Sequence, residues 1–156
     1  MYYARLFLFL FLNFGALAIG SMWTQHGVTG DWYLSLDKAP WTPPGWVFGA
    51  AWTLIMICLS VFMASLVSGP IGNTSRFLLL FAVQWITNVL WNYLFFHNHQ
   101  PGWALLDILL VFLFVGMLAI RNLRNTTGVS TLWLLPYLLW LCIAISLNVY
   151  IVIKNG

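Results

Sequence analysis

The sequence has very few charges: only 6% of its 156 residues are charged, and glutamate is absent. A soluble domain carries about 25% charged residues, which help to cover its wet surface. With 62% of the residues hydrophobic, too few polar side chains remain for such a surface. The composition therefore excludes a disordered chain, an ordinary soluble globule and a nucleic-acid-binding module, and it predicts an integral membrane protein whose main partner is the lipid bilayer.

Long uncharged stretches between the few charges predict an all-α membrane protein with five spans. A spanning helix needs about 20 mostly apolar residues, and its backbone satisfies its own hydrogen bonds in lipid. We interpret residues 1–156 as one transmembrane domain with no room for a soluble domain. The N-terminal run also fits a signal peptide, but we count it as a span. The spans are predicted at about residues 4–22, 43–67, 76–96, 103–120 and 132–153.

Turn-forming residues mark the ends of these spans. Thr42-Pro43-Pro44 is typical of an N-cap with proline in the first helical turn. Ser68-Gly69-Pro70 predicts a helix stop, and Asn125-Thr126-Thr127-Gly128 separates the last two spans. Pro136 predicts a bend in the fifth span that frees the carbonyl of Leu132.

The connection at about residues 23–41 is the only long one, and it contains Trp32 and Tyr33. It is either a plain surface connection or a functional loop whose aromatic residues pack on the bundle.

Basic residues predict a cytoplasmic N-terminus, because four arginines lie on that side of the predicted topology and two lysines on the other. We expect a bacterial inner membrane, with the outer membrane as the alternative.

Four spans have a face rich in polar, aromatic or small residues. Such faces either join helices by hydrogen bonds or wall a cavity for a flat, largely apolar ligand. We favour the cavity, because tryptophan blocks the close approach that small residues allow. The faces contain Asn13, Ala16, Gly20 and Trp23; Trp46, Gly49, Thr53, Met56, Ser60 and Met63; Gln84, Asn88, Trp91 and Phe95; and Trp133, Tyr137, Trp140, Ala144 and Asn148.

The remaining chemical candidates are few. Asp107 lies inside the fourth span. It is either an interfacial carboxylate near the N-terminus of the helix or a buried acid paired with a polar group of another helix. We favour the interfacial position. His97 and His99 have no third ligand nearby in the sequence, so we expect loop histidines and no metal site. No nucleophile–base set or phosphate loop is present, so no catalytic residues and no required cofactor are predicted.

The segment from Trp32 to Trp52 resembles the signature of the TspO/MBR family, whose members are also called translocator proteins and tryptophan-rich sensory proteins. It contains Leu36-Asp37-Lys38-Ala39-Pro40-Trp41-Thr42-Pro43-Pro44-Gly45-Trp46. Further matches lie in 88–96, 103–111 and 135–148, so the resemblance covers nearly the whole chain. The sequence departs from the family pattern at Met56, where a tyrosine is common. It also departs at Asn92, where many relatives have proline. Without that proline, we expect a straighter third helix.

The resemblance implies a five-helix bundle that forms a homodimer, with an internal pocket capped by the long first loop. The implied ligands are tetrapyrroles such as protoporphyrin IX, with sterol or drug-like apolar molecules as further possibilities. The implied ligand contacts are Tyr33 and Pro43 in the lid, and Trp52, Asn88, Trp91, Trp140, Ala144 and Leu147 in the wall. The polar faces add Trp46 and Gln84 to this set.

Three functions follow as hypotheses from this resemblance. The leading one is a membrane receptor or sensory protein that binds porphyrin-like tetrapyrroles. The second is a light-dependent porphyrin-degrading enzyme in which Trp52 and Trp140 are redox partners. The third is a transporter or accessory subunit for tetrapyrroles, which the lack of an inverted repeat in the sequence disfavours.

Overall fold

The computed structural model of the chain describes residues 1–69, 74–124 and 129–156. Within these ranges all regular structure is helical. The elements are α1 (Tyr2–Gly27), α2 (Asp31–Ser35), α3 (Gly45–Ser68), α4 (Thr74–Asn92), a π-helical turn (Tyr93–His97), α5 (Pro101–Arg124), a 3-10 turn (Thr131–Leu134) and α6 (Leu135–Asn155).

The predicted five-span, all-α architecture is confirmed. In the described ranges, five helical segments are long and apolar enough to cross a membrane, and they coincide with the five predicted spans. Two of them run clearly further than predicted, since α1 continues past residue 22 to Gly27 and α5 continues past residue 120 to Arg124. The chain is therefore an integral membrane protein.

The long helices pack in a closed order around a common interior. Helix α1 lies against α3 and α4, α4 against α5, α5 against α6, and α6 against α3. Large side chains fill the interior, including Leu59, Phe62, Phe77 and Leu118, all of which are fully buried. Since lipid tails are as apolar as these side chains, close packing rather than the hydrophobic effect favours this arrangement.

Some polar residues of the predicted cavity faces join helices instead. Nδ2 of Asn13 donates a hydrogen bond to Oγ of Ser60, 2.8 Å away, which links α1 to α3. Outside these faces, Nε1 of Trp85 donates to the carbonyl oxygen of Leu12 at 2.8 Å, which links α4 to α1. The helix-joining interpretation therefore applies to Asn13 and Ser60 of these faces.

Two predicted helix-end features are wrong. Helix α3 begins at Gly45 with Pro44 as its N-cap, whereas Oγ1 of Thr42 donates to the carbonyl oxygen of Ala39 in the preceding turn. The carbonyl of Leu132 is not freed, because the 3-10 turn lets the Leu135 N–H donate to it.

Other predicted helix-end features agree with the structure or lie outside it. Pro136 occupies the first turn of α6, where backbone N–H groups have no partner within the helix, so the missing N–H of proline costs no hydrogen bond. Gly69 caps α3 as expected, with its N–H donating to the carbonyl oxygens of Ser65 and Leu66. Pro70 and the segment 125–128 lie outside the described residues.

The third span is not one uninterrupted α-helix. The α-helical pattern ends at Asn92, and the N–H of Asn98 then donates to the carbonyl oxygen of Tyr93, five residues earlier, at 3.0 Å. Oδ1 of Asn92 accepts a hydrogen bond from Oγ1 of Thr24 at 2.8 Å, so the junction is tied to α1. Because the hydrogen-bonding pattern changes here, the straighter helix expected from Asn92 gives way to a π turn, a feature often found at functional sites.

Candidate ligand cavity

The long first loop is ordered and its aromatic residues pack on the bundle. The ring of Tyr33 in α2 contacts Phe95 and Phe96 of the π turn, with ring centroids 6.4 and 5.6 Å apart. The ammonium of Lys38 lies 4.6 Å from the centre of the Tyr33 ring. Burial raises the pKa of the Tyr33 phenol above its ordinary value, so the hydroxyl stays neutral beside this cation. The aromatic residues of this loop therefore pack on the bundle, as expected.

The second half of the loop is fastened to α6. Nε1 of Trp41 donates to Oγ of Ser146 at 3.1 Å. The N–H of Asp37 donates to Oδ1 of Asn155 at 2.8 Å, and Nδ2 of Asn155 returns a hydrogen bond to the carbonyl oxygen of Asp37. These contacts hold the loop at the C-terminal end of α6.

A small internal cavity of about 40 Å³, called here the inner cavity, lies among α3, α4, α5 and α6. Among its described lining residues, Asn88 alone has a side-chain amide, and most of the others are aromatic or aliphatic. Five residues of the predicted site therefore meet around one cavity. The lining consists of Phe48, Trp52, Asn88, Trp91, Ile108, Val111, Trp140, Leu141 and Ala144.

Aromatic side chains of α3 and α6 form one wall of the inner cavity. Phe48 lies edge-on to Trp140, with ring centroids 5.2 Å apart and planes at 87°. Trp52 lies edge-on to Tyr137 at 5.8 Å. Nε1 of Trp140 is buried and has no hydrogen-bond partner in the described part of the chain. An indole N–H that is buried usually has a partner, so this donor is available to a ligand.

The buried hydroxyl of Tyr137 fixes the orientation of Asn88, the residue of this wall that has a side-chain amide. Nε2 of Gln84 donates to the hydroxyl of Tyr137 at 2.7 Å, and that hydroxyl donates to Oδ1 of Asn88 at 3.1 Å. Gln84 thus lies behind the wall, where it positions Tyr137 and through it Asn88. The sequence placed Tyr137 on a polar face but did not identify it as a residue that orients Asn88.

The predicted site residues divide into two groups. Trp52, Asn88, Trp91, Trp140 and Ala144 line the inner cavity, whereas the other five do not. Of those five, Trp46 is 74% exposed near the start of α3, and Leu147 is buried on α6. The remaining ones are Tyr33 on the π turn, Pro43 before α3, and Gln84 behind the wall.

Several lining residues were missed, namely Phe48, Ile108, Val111 and Leu141. Phe48 had a signal, because it lies one helical turn before Trp52 and shares its face. Ile108, Val111 and Leu141 had none, since an aliphatic residue in a span can face lipid, a neighbouring helix or a cavity. Only the packing of α5 and α6 decides among these environments.

The prediction of an interfacial Asp107 is wrong. Its side chain is only 5% exposed, and it lies on the same face of α5 as Ala104 and Val111, which are buried in the bundle. Helix α5 begins at Pro101, so position 107 lies in its second turn rather than at its N-terminus. Oδ2 of Asp107 has no hydrogen-bond partner in the described part of the chain.

A second, larger cavity of about 470 Å³, called here the outer cleft, lies between the end of α1, α2 and the π turn. It contains His97 and His99 and also His26, which the sequence separates from them by some seventy residues. The fold thus brings a third histidine to the cleft that the sequence alone did not place there. Even so, no three His, Cys, Asp or Glu side chains of the described ranges are arranged to hold a metal ion.

Comparisons with known proteins agree with this architecture. A sequence model of the TspO/MBR family matches residues 7–153. The tryptophan-rich protein TspO of Archaeoglobus fulgidus is 35% identical over 137 residues, which are 88% of each chain. The tryptophan-rich sensory protein of Cereibacter sphaeroides is 34% identical over 143 residues, covering 89% of this chain and 87% of that one. The translocator protein of Ovis aries is 34% identical over 138 residues, covering 83% and 79%. The resemblance that begins at Trp32-Tyr33 is thus confirmed over nearly the whole sequence, and the chain belongs to the TspO/MBR family of membrane sensory and translocator proteins.

Proposed function

We propose that this chain is a membrane receptor that binds porphyrin-like tetrapyrroles in the inner cavity. One observation carries the proposal: Trp52 of α3, Asn88 and Trp91 of α4, and Trp140 and Ala144 of α6 surround the same space. Residues from three helices that converge on one apolar space, with a few polar groups among them, are the usual composition of a small-molecule site.

The chemistry of the wall suits a flat, largely apolar ring. Indole faces offer stacking surfaces, and the unpartnered Nε1 of Trp140 can donate to an acceptor on the ligand. Asn88 supplies the one amide, and its orientation is held by Tyr137. Specificity would then come from these few polar atoms, and affinity from apolar burial.

The size of the inner cavity requires a change of shape on binding. Sites for drug-sized ligands enclose roughly 300–1,000 Å³, whereas this cavity has about 40 Å³. Phe48 is half-buried, packs edge-on against Trp140 and lies in the first turn of α3. Binding would displace Phe48 and Trp140 and separate α3 from α6. A sensor needs such coupling between ligand and helix arrangement.

Fluorescence titration tests this proposal. Metal-free protoporphyrin IX should quench tryptophan fluorescence saturably in detergent-solubilised protein, and Trp140→Ala should weaken that binding strongly. Trp46→Ala is the matched control, because Trp46 projects away from the bundle and should leave binding unchanged. Quenching that never saturates, or that both variants weaken equally, would contradict binding in the inner cavity.

Light-dependent porphyrin degradation remains a second candidate, because Trp52 and Trp140 line the same cavity. Both indoles would then contact one bound ring and could exchange electrons with it. Illumination should yield a product spectrum that the double variant Trp52→Phe and Trp140→Phe abolishes while retaining binding. Equal bleaching of free porphyrin in the same detergent would exclude a role of the protein.

We also propose that two copies associate in the membrane. Gly49 and Gly116 lie where an added Cβ would meet nothing within 4 Å, so their backbones are open to a second copy. Small residues at such positions let transmembrane helices approach closely. Light scattering corrected for bound detergent should give the mass of two chains, and Gly116→Leu should shift it towards one if α5 forms the contact.

A further inference from the structure

We propose that the outer cleft binds a quaternary ammonium group of the choline type, held against aromatic rings with the carboxylate of Asp31 as its counter-charge. This site is separate from the inner cavity and does not depend on the proposed function. The proposal rests on the lining of the cleft, on its electrostatics and on its position at the end of two spans.

The outer cleft has the size and the surfaces for an organic cation. Its volume of about 470 Å³ lies within the range of small-molecule sites and leaves room for the group to which the ammonium is attached. Aromatic side chains of three different elements line it, namely Trp23 of α1, Trp32 of α2 and Phe96 of the π turn. The face of an aromatic ring attracts a cation, and several rings around one space are a usual means of binding a quaternary ammonium group.

The charges of the outer cleft favour a cation over an anion. Among its described lining residues, Asp31 supplies the one carboxylate, and there is no lysine or arginine beside it. The remaining polar rings of the lining are the imidazoles of His26, His97 and His99. A phosphate or carboxylate ligand would meet the negative charge of Asp31, whereas an ammonium group would neutralise it.

The ends of two helical segments add partial negative charge to the outer cleft. The C-terminal part of α1 contributes Trp23, His26 and Gly27 to the lining. The π turn, with which the third span ends, contributes Phe96 and His97. The carbonyl groups at a helix C-terminus carry partial negative charge, so a cation is favoured beside them.

The aromatic residues of the cleft are held in place by rings around them. His99, whose backbone φ of 53° is uncommon outside glycine, stacks on Trp32 with ring centroids 4.3 Å apart and planes at 15°. Trp23 lies edge-on to Tyr93, with ring centroids 5.4 Å apart. Side chains that are already fixed lose little conformational freedom when a ligand binds, so this arrangement favours affinity.

A neighbouring ring of the same aromatic cluster already holds a cation of the chain. The ammonium of Lys38 lies 4.6 Å from the centre of the Tyr33 ring, and Tyr33 contacts Phe96 of the cleft with ring centroids 5.6 Å apart. Within the described ranges, no lysine or arginine lies over a ring that lines the cleft. These rings are therefore open to a positive charge from outside the chain.

The position of the outer cleft allows two sources of the ammonium group. The apolar segments Tyr2–Gly27 and Thr74–His97 both end at the cleft. Beyond the hydrocarbon core, the ends of spans reach the level of the lipid headgroups. The group can therefore belong to a phosphatidylcholine headgroup or to free choline from the aqueous side, and the recognition chemistry is the same for both.

Binding of choline to the full chain in an uncharged, sugar-based detergent tests the site. Saturation-transfer NMR should show saturable contact between the methyl groups of choline and the protein. The neutral analogue, in which carbon replaces the nitrogen, should bind more weakly by roughly 2- to 30-fold, the range expected for cation–π attraction. Equal binding of choline and the analogue would overturn the proposal.

Asp31→Asn should weaken choline binding several-fold, because it removes the counter-charge and keeps the size of the side chain. Asp31 is exposed, so the thermal unfolding of this variant should match that of the wild type. Asp37→Asn is the matched control, since it removes an exposed carboxylate of the same loop that does not line the cleft. Trp23→Leu and Trp32→Leu, in different elements, should each weaken binding, so the result does not depend on one variant.

A lipid competition separates the two sources. In nanodiscs with equal amounts of phosphatidylcholine and phosphatidylglycerol, mass spectrometry of the lipids that remain on the purified chain should show enrichment of phosphatidylcholine. Loss of this enrichment in Asp31→Asn supports a lipid headgroup, whereas choline binding without enrichment supports a free cation.

The remaining outcomes separate this site from the inner cavity. Absence of both choline binding and lipid enrichment in the wild type, or equal binding by the wild type and Asp31→Asn, would overturn the outer site. Displacement of choline by metal-free protoporphyrin IX would also overturn it, because the two ligands would then share one site. Failure of the porphyrin to bind, with choline bound, would overturn only the proposed function.

Discussion

Nε1 of Trp91 donates a hydrogen bond to Oδ1 of Asn148, 3.1 Å away, and this bond joins the α4 wall of the inner cavity to α6. Nδ2 of Asn148 in turn donates to the carbonyl oxygen of Pro101 at 2.8 Å. One buried amide therefore holds three helices together at the edge of the inner cavity. Its loss should affect both stability and the position of Trp91.

Asn148→Leu should weaken binding of metal-free porphyrin and lower the free energy of unfolding, by about 0.6 to 1.7 kcal/mol for each hydrogen bond lost. Asn13→Leu is the matched control, since it also deletes a buried amide bond between helices but lies away from the inner cavity. Thermal unfolding in detergent should show a loss in both variants, and fluorescence titration a loss of binding in Asn148→Leu alone. Equal binding by the two variants would mean that Asn148 does not position Trp91.

Tyr137→Phe should lower the free energy of unfolding by about 1 to 3 kcal/mol, because it leaves the buried amides of Gln84 and Asn88 without a partner. Porphyrin binding should also weaken, since Asn88 lines the inner cavity and loses its fixed orientation. Tyr150→Phe near the end of α6 removes the hydroxyl of a half-buried residue and should change neither property. If Tyr137→Phe leaves both properties intact, the hydroxyl does not orient Asn88.

Gly27→Ala should destabilise the packing of α1 against the π turn. An added Cβ would lie 2.6 Å from Cβ and 2.5 Å from Cδ1 of Phe96, and Cβ cannot rotate away from the backbone. Overpacking of this kind costs about 1 to 3 kcal/mol. Gly15→Ala is the control in the same helix, because its Cβ would meet nothing within 4 Å. Thermal unfolding should therefore shift downward for Gly27→Ala only; a shift for Gly15→Ala of equal size would point to a general effect on α1.

Asp107→Asn should raise the midpoint of thermal unfolding. The change keeps the size of the side chain and removes a carboxyl group whose Oδ2 is buried without a partner, which is costly inside a bundle. Asp37→Asn, at an exposed position of the loop, should leave the midpoint unchanged. A lower midpoint for Asp107→Asn would show that the carboxyl group has a stabilising role that an amide cannot fill.

The spans were predictable because the length of an apolar run can be counted along the sequence. Their ends were less so, since a helix end depends on where the backbone N–H and carbonyl groups find partners. Thr42 has the residue type of an N-cap, yet its hydroxyl bonds to Ala39 and α3 starts after the two prolines. The π turn after Asn92 likewise begins where the side chain of Asn92 accepts a hydrogen bond from Thr24 of α1, a residue far away in sequence.

About half of the residues that line the inner cavity could be predicted, for a similar reason. The polar faces of the spans mark Asn88 and Trp140, and the family resemblance adds Trp52. Ile108 and Leu141 are not distinguishable from residues that face lipid. Gln84 lies on the predicted polar face of α4, but its side chain donates a hydrogen bond to Tyr137 and does not line the inner cavity.

By itself the sequence determined that this protein is embedded in a membrane, spans it five times and belongs to the TspO/MBR family. These properties depend on the length of the apolar stretches and on local motifs. Only the tertiary structure decided which polar residues join helices and which face a cavity. The physical reason is that a hydrogen bond across helices depends on distances between residues far apart in sequence. His26 and His99 line the same outer cleft although they lie far apart in sequence, because α1 and the π turn pack together.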